Sequence, residues 1–359
     1  MQAGVDKIPE PFIKSRIMSY SLEALIRFAE SRGVEYPPGT SKEEFIDLIF
    51  DKSKELAYEL YDATELRRSL SEKLLLQSAP EAQGSRDDAL LSLLAQRRIR
   101  ALEDAQLLMS QERAKTFRRY LLKRGSLERD PSSLLDDRSA DFDELRSSIE
   151  MRLTLPGKHA TLERVLQRGE SYLFFIKYVD KIKTAEEMEG RHWDTLVRRV
   201  IAVLHEPTAS LEIGTPNPRR EQAALAALSY YLTEREDAFE PWSISGERLL
   251  SSISDPNWES DAAGSGPVGV TYVDFVNVNL EGKPEKLSLL GEDVILTLSS
   301  LRRAGLDLSK MGQLHKVRFV FRGKKTDVFP LEGKFLFLAY MDEAERMSFY
   351  EWVSAMGWA

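Results

Sequence analysis

The stretch Leu314–Tyr340, LHKVRFVFRGKKTDVFPLEGKFLFLAY, decides the fold class. Val317, Phe319 and Phe321 recur at every second residue, and Lys316, Arg318 and Arg322 take alternate positions. Successive side chains of a strand point to opposite faces, so the pattern predicts a half-buried strand over Leu314–Phe321, apolar inward and cationic outward. Gly323-Lys324-Lys325-Thr326-Asp327 then reads as a turn leading to a second strand, Phe335–Tyr340. Outward from this pair, Asp342 stands where an N-cap would open a terminal helix bearing Met347, Tyr350, Trp352, Val353 and Met356. Asp293 would likewise open a helix closed by Gly305, and Val270–Leu280 reads as strand. Residues 270–359 are therefore expected to form an α+β domain with a small antiparallel sheet.

Toward the N-terminus the pattern stays mixed. Tyr172–Val179, YLFFIKYV, is aromatic and β-branched and reads as strand. The alternation of Ile149, Met151, Leu153 and Leu155 predicts another strand, and Thr161–Arg168 a short helix. Thr195–Leu204 fits a strand or a buried helix. Ala209–Ile213 reads as a short strand, and Pro218 opens an alanine-rich helix through Leu232. These elements make a mixed middle domain, 144–253, set off by a Pro/Ser/Asp-rich linker at 125–143 and a second linker at 254–269. The second linker contains a literal G-x-G-x-x-G at Gly264, Gly266 and Gly269. Dinucleotide binding needs a strand before that motif and a helix after it. Here a strand follows, so the glycines are read as linker.

Residues 1–124 read as helical throughout. Leu22–Phe50, LEALIRFAESRGVEYPPGTSKEEFIDLIF, gives two amphipathic helices: Leu22, Leu25, Ile26 and Ala29 form one stripe, and Phe45, Ile46, Leu48 and Ile49 the other. Gly33 is placed as a C-cap, Pro37-Pro38-Gly39 forces an extended connection, and Ser41 with Glu44 has capping-box spacing. Lys54–Gln77 continues as helix, a break follows at Ala79–Gly84, and from Ser85 to Arg124 the pattern fits one long helix or two, since the spacing slips around Arg113. Through Leu22, Leu25, Gly33, Lys42, Glu44, Phe45, Ile46 and Ile49, the opening thirty residues resemble the SAP-type helix–extension–helix motif. That resemblance implies binding to DNA or chromatin. Between residues 14 and 46, five cations are matched by five glutamates.

Composition narrows the function classes. The chain has 359 residues, 42% hydrophobic and 30% charged, with a net charge of −8. It has no cysteine, which excludes disulfides, thiol catalysis and thiolate metal sites. No apolar run approaches membrane-spanning length and the first residues lack a secretory core, so a cytoplasmic protein with no membrane partner is expected. The four histidines, His159, His192, His205 and His315, are scattered, and no phosphate-loop or nucleophile-elbow motif occurs. One acidic constellation, Glu150, His192, Asp194, Glu206 and Glu212, is the candidate for metal-dependent hydrolysis. No cofactor or resident metal is expected.

Charge, by contrast, is segregated. Arg97, Arg98, Arg100, Arg113, Lys115, Arg118, Arg119, Lys123 and Arg124 face only Glu103, Asp104 and Glu112. Arg302, Arg303, Lys310, Lys316, Arg318, Arg322, Lys324 and Lys325 face only Asp307. Such clusters in an acidic protein suit a phosphate backbone or an acidic protein surface. Three functions therefore stand open. The first is nucleic-acid binding without catalysis, DNA ahead of RNA, through a basic helix over 97–124 and a basic strand and turn over 316–325. The others are an adaptor subunit docking on a protein and a metal-dependent hydrolase.

Overall fold

The structure, a computed structural model, describes residues 9–69, 86–96, 98–123, 125–153, 158–183, 193–255, 268–280, 283–291, 294–305 and 312–358. Two compact units emerge, Met1–Gln111 and Glu112–Ala359. The division therefore falls inside the basic segment 97–124 rather than behind it.

The first unit is helical, as its periodicity predicts. It contains α1 (Glu10–Ile17), α2 (Leu22–Ser31), α3 (Lys42–Lys52), α4 (Lys54–Ser69), α5 (Arg86–Ala95) and most of α6 (Ile99–Arg113). Ser21 caps α2 by accepting from the Ala24 amide. Ser41 and Glu44 form the expected capping box on α3. Gly33 ends the α2 turn at φ +71°, a conformation that a Cβ would penalise. Leu25, Phe28 and Ala29 from α2 meet Phe45, Ile46 and Ile49 from α3 and Leu60 from α4 in one core.

The second unit is built on one antiparallel sheet. Its strands are β1 (Thr116–Leu122), β2 (Lys158–Arg168), β3 (Ser171–Lys183), β4 (Trp193–His205), β5 (Ser210–Gly214), β6 (Phe239–Pro241), β7 (Val268–Leu280), β8 (Lys283–Leu290), β9 (Gln313–Phe321), β10 (Lys324–Phe329) and β11 (Lys334–Phe337). The order is β2-β3-β4-β5-β1-β11-β10-β9-β7-β8, with β6 beside β11 on the same edge of β1. The helices are α7 (Ala140–Leu153), α8 (Pro218–Thr233), α9 (Gly246–Ile253), α10 (Val294–Arg303) and α11 (Glu343–Ala355). The middle and C-terminal regions thus share one sheet rather than holding one each.

β1 is the seam between two half-sheets of similar build. On one side β4 ends in a single 3-10 turn, Glu206–Thr208, followed by left-handed Ala209, then β5 and an Asn217-capped α8. On the other, β10 ends in the 3-10 turn Pro330–Glu332, followed by left-handed Gly333, then β11 and an Asp342-capped α11. Both short strands lie antiparallel to β1, one on each edge. A Cβ at Gly333 would come within 2.8 Å of the Trp242 carbonyl oxygen, so glycine is required there by space as well as by φ.

The two halves bury opposite faces. Tyr120 of β1, with Leu211 and Ile213 of β5, joins Phe174 and Ile176 of β3 in the core under α7 and α8. Phe117 of β1 joins Val317, Phe319 and Phe321 of β9 in the core under α9, α10 and α11. Tyr120 and Phe117 are an odd number of residues apart, so one strand serves both cores.

Several expectations are corrected. The helix expected to reach Arg124 ends at Arg113, and residues 116–122 are β1. Phe117 and Leu121 are four apart, a spacing that suits a helix and a strand equally. Residues 140–153 are helix, with Phe142, Leu145, Ile149 and Leu153 buried, so the local alternation after Ile149 misled. The segment 125–143, expected to be a linker, is packed: Asp130 caps a 3-10 turn and Leu134 is fully buried. Residues 158–168 are strand; a bulge between Leu162 and Arg164 puts Leu162, Val165 and Leu166 at helix-like spacing. Thr195–Leu204 resolves as part of β4. Lys324–Asp327 belongs to β10, because Arg322 and Gly323, both at positive φ, close a two-residue hairpin with Phe321 paired to Lys324.

Candidate functional site

Three places in the second unit gather chemically capable side chains: the seam, the outer face of the β7–β9–β10 sheet, and the rim where β1, β11, β10 and β9 come to an end.

At the seam, Ser171 of β3 stands opposite His205 of β4, and Glu212 of β5 projects from the same face. Ser171 Oγ lies 3.0 Å from His205 Nδ1, and His205 Nε2 lies 3.4 Å from Glu212 Oε2. From α11, Arg346 donates to Glu212 Oε2 at 3.0 Å and to the Met341 carbonyl at 3.2 Å, with its guanidinium 4.4 Å from the Phe117 ring centroid. Glu343 Oε1 approaches His205 Nδ1 at 3.5 Å. Glu212 and Arg346 have no appreciable exposure. Burial alone would raise the Glu212 pKa. The Arg346 charge, helped by His205, overrides it and holds the carboxyl well below the usual carboxylate range. Beside this row, residues such as Arg168, Glu170, Ser171, His205, Glu343 and Glu351 line a cleft of about 450 Å³. The row carries nucleophile, base and acid groups, but Glu212 Oε2 is already paired with the internal Arg346, while Glu212 Oε1 is buried without a hydrogen-bond partner among the described residues. It is a charge network that locks α11 to β4 and β5.

β1 contributes two further cations to the interior. Arg119 is buried, 4.6 Å from the Tyr350 ring centroid and 5.1 Å from that of Trp242, and donates to Ser210 Oγ at 3.2 Å. Arg118, on the other face, pairs with Glu221 of α8 at 2.9 Å. Both candidate cations are thus engaged by partners within the protein.

On the outer face, Lys316 and Arg318 of β9 converge on buried Asp327 of β10. Arg318 reaches both carboxylate oxygens, at 2.5 and 3.0 Å, and Lys316 lies 3.6 Å from one of them. Both cations also flank the Tyr272 ring, at 4.3 and 5.5 Å from its centroid. Lys324 pairs with Glu345 of α11 at 2.6 Å. The cationic strand face is thus partly neutralised from within, one carboxylate serving Lys316 and Arg318 together, because Asp327 lies directly opposite Arg318.

At the rim, Lys115, just before β1, accepts through its carbonyl from the Phe337 amide at the end of β11. Lys325, at the start of β10, accepts from Leu338. Arg322 is in the adjoining hairpin turn. Strands in a sheet are about 4.8 Å apart, so Lys115 and Lys325 flank the end of β11 at a backbone separation of about 10 Å. Lys115, Arg322 and Lys325 are exposed and form no ion pair with a described residue. Arg302 and Arg303 are exposed in the last turn of α10, a favourable place for cations at the negative end of a helix dipole. Arg98 and Arg100, in the first unit, are exposed and engaged in interactions of their own. Arg97 and the Arg113 side chain lie outside the described residues.

The described members of the hydrolase constellation are engaged separately. Glu150 is on α7 accepting from Thr161, Glu206 is exposed in a 3-10 turn, and Glu212 is held by Arg346. His192 and the Asp194 side chain lie outside the described residues. Among the described residues, no three His, Asp or Glu side chains are arranged to hold a metal ion, and no helix is long and apolar enough to cross a membrane. Neither protein-family models nor curated proteins match this chain.

Proposed function

We propose that this chain binds nucleic acid through the phosphate backbone, with DNA as the expected partner, and that Lys115, Arg322 and Lys325 are the contacting cations of the second unit. The supporting observation is the rim. Residues from two distant basic segments, 97–124 and 302–325, reach the same end of the sheet on either side of β11, and these three remain solvated while their neighbours are internally paired. Phosphate binding draws on such cations because each contact releases condensed counterions. Arg302 and Arg303 extend the cationic surface. The SAP-like pair α2–α3 is proposed as a second contact, with the half-buried Lys42 at the start of α3.

Fluorescence anisotropy of labelled double-stranded DNA, single-stranded DNA and RNA at two salt concentrations tests this reading. Three phosphate contacts would give a log K against log salt slope of about −2.7 on duplex DNA, and replacing all three cations with glutamate would flatten it toward zero. Absence of binding even at low salt sinks the nucleic-acid reading. Capture of an acidic protein instead, lost in the same variant, would establish the adaptor function.

A further inference from the structure

The first unit contains a cavity of about 670 Å³ whose walls are cationic. Arg16 from α1, Arg67 from α4 and Arg86 from α5 all line it, with the hydroxyl-bearing Ser15, Ser19 and Thr64. Arg67 is anchored: it pairs with Asp87 at 2.7 Å, donates to Ser19 Oγ at 2.9 Å, and sits 5.3 Å from the Tyr20 ring centroid. Arg16 rests against Phe12, 5.0 Å from its ring centroid, and forms no ion pair with a described residue. Arg86 likewise has no ion pair with a described residue, and its Nε is buried with no hydrogen-bond partner. Among the described residues, Asp87 is the one carboxylate paired with these three guanidiniums, which converge from three helices. Like charges brought together in a partly desolvated cavity repel unless an anion joins them. A buried guanidinium nitrogen without a partner also carries a desolvation penalty that a ligand oxygen would remove.

We propose that this cavity is a binding site for a phosphate-bearing ligand, held by Arg16, Arg67 and Arg86 with the Ser15 hydroxyl as an additional donor, the Ser19 and Thr64 hydroxyls being donated to backbone carbonyls. The donor set selects the chemistry. Guanidinium forks match phosphate oxygens bidentately, and a hydroxyl supplies a neutral donor to an oxygen that the forks leave free. The cavity volume exceeds what inorganic phosphate needs and accommodates pyrophosphate or a nucleotide-sized phosphate ester. Phe12 lies on the wall beside the cations and offers an apolar surface to the rest of such a ligand. This site belongs to the first unit and is independent of the rim reading for the second.

Calorimetric titration of the full chain with pyrophosphate tests the proposal, alongside the double variant Arg16→Gln/Arg86→Gln. Arg67 is left intact because its contacts with Asp87 and Ser19 are structural. The wild type should bind, and the double variant should bind at least tenfold more weakly. Its melting temperature without ligand should stay level or rise, since two of three repelling charges are gone; residues with a purely structural role would lower it. In wild-type protein, pyrophosphate should shield Arg16 and Arg86 from phenylglyoxal modification mapped by mass spectrometry, a readout that does not depend on the variant folding. Competition by a 5′-phosphorylated oligonucleotide, but not by its unphosphorylated counterpart, would identify a nucleic-acid terminus as the phosphate source. Competition by neither would identify a small free phosphate. Absence of pyrophosphate binding and of arginine shielding in the wild type overturns the proposal, as does undiminished binding by a folded double variant. Failure of the rim variant alone would leave this site standing, and the reverse holds as well.

Discussion

Arg119 and Lys115 lie four residues apart, one in the middle of β1 and the other just before its start, and they meet opposite fates. Arg119 is buried between Tyr350 and Trp242 near the Glu212–Arg346 pair, whereas Lys115 stands exposed at the rim beside Lys325. At the seam two half-sheets with opposite buried faces have to join, and the row Ser171–His205–Glu212 from one half is covered by α11 of the other. At the rim strands simply end, and their cations remain in water. The difference shows that cation density in a sequence says little about availability. What matters is whether a carboxylate is carried to the same place by another part of the chain.

The comparison breaks most severely at the seam. Arg346→Met or Glu212→Leu alone leaves a buried charge without its partner and should cost about 3–5 kcal/mol, read from urea or thermal unfolding of the second unit. The double variant should lose much less than the sum of the two, because removing both charges also removes the desolvation penalty. Losses that simply add would show that the two groups are not coupled.

Next in size is Asp327→Asn. It leaves Lys316 and Arg318 facing a neutral amide on a half-buried face and should cost about 1–3 kcal/mol. The same substitution frees two cations, so it should strengthen DNA binding if the outer face lies near the bound backbone. Unchanged affinity would confine the nucleic-acid contact to the rim.

Acid exposes the seam in a third way. The folded pKa of Glu212 is depressed by Arg346, so its contribution is complete above the unfolded value near 4.3 and is lost as pH falls through the folded one. Wild-type stability should therefore drop below about pH 4 more steeply than that of Glu212→Gln. Parallel acid profiles for the two proteins would contradict the assignment. Smallest is the effect at the rim: Lys115→Glu, Arg322→Glu and Lys325→Glu should each change stability by no more than about 0.5 kcal/mol, as surface substitutions do, while DNA affinity falls. A large stability loss would mean that these cations have structural partners.

Local rules were legible in the sequence wherever one element satisfies its own end groups. The capping box at Ser41–Glu44, the Asp342 N-cap, the Pro218 start of α8 and the Val317-Phe319-Phe321 face of β9 all read directly. Misreadings arose where two periods coincide. Phe117 and Leu121 suit a helix or a strand, and the bulge in β2 converts strand spacing to helix spacing. Of the fourteen candidate site residues, Arg118, Arg119, Lys316, Arg318 and Lys324 proved to be paired or buried. Their partners Glu221, Ser210, Asp327 and Glu345 are named by register and helix packing, which no local window contains. The seam row and the arginine cavity were missed for the same reason, because Ser171, His205 and Glu212, or Arg16, Arg67 and Arg86, are remote from one another in sequence.

By itself the sequence determined the helical first unit, the antiparallel strands of the second, the absence of thiol chemistry and the segregation of charge, since each depends on residues within a turn or two of one another. Only the tertiary structure decided that the middle and C-terminal segments share one sheet, that β1 serves two cores on opposite faces, and which cations face a carboxylate, a cavity or water. Those outcomes depend on strand order and on the burial of facing groups. Coulomb energy and desolvation act through space, and chain distance carries no trace of them.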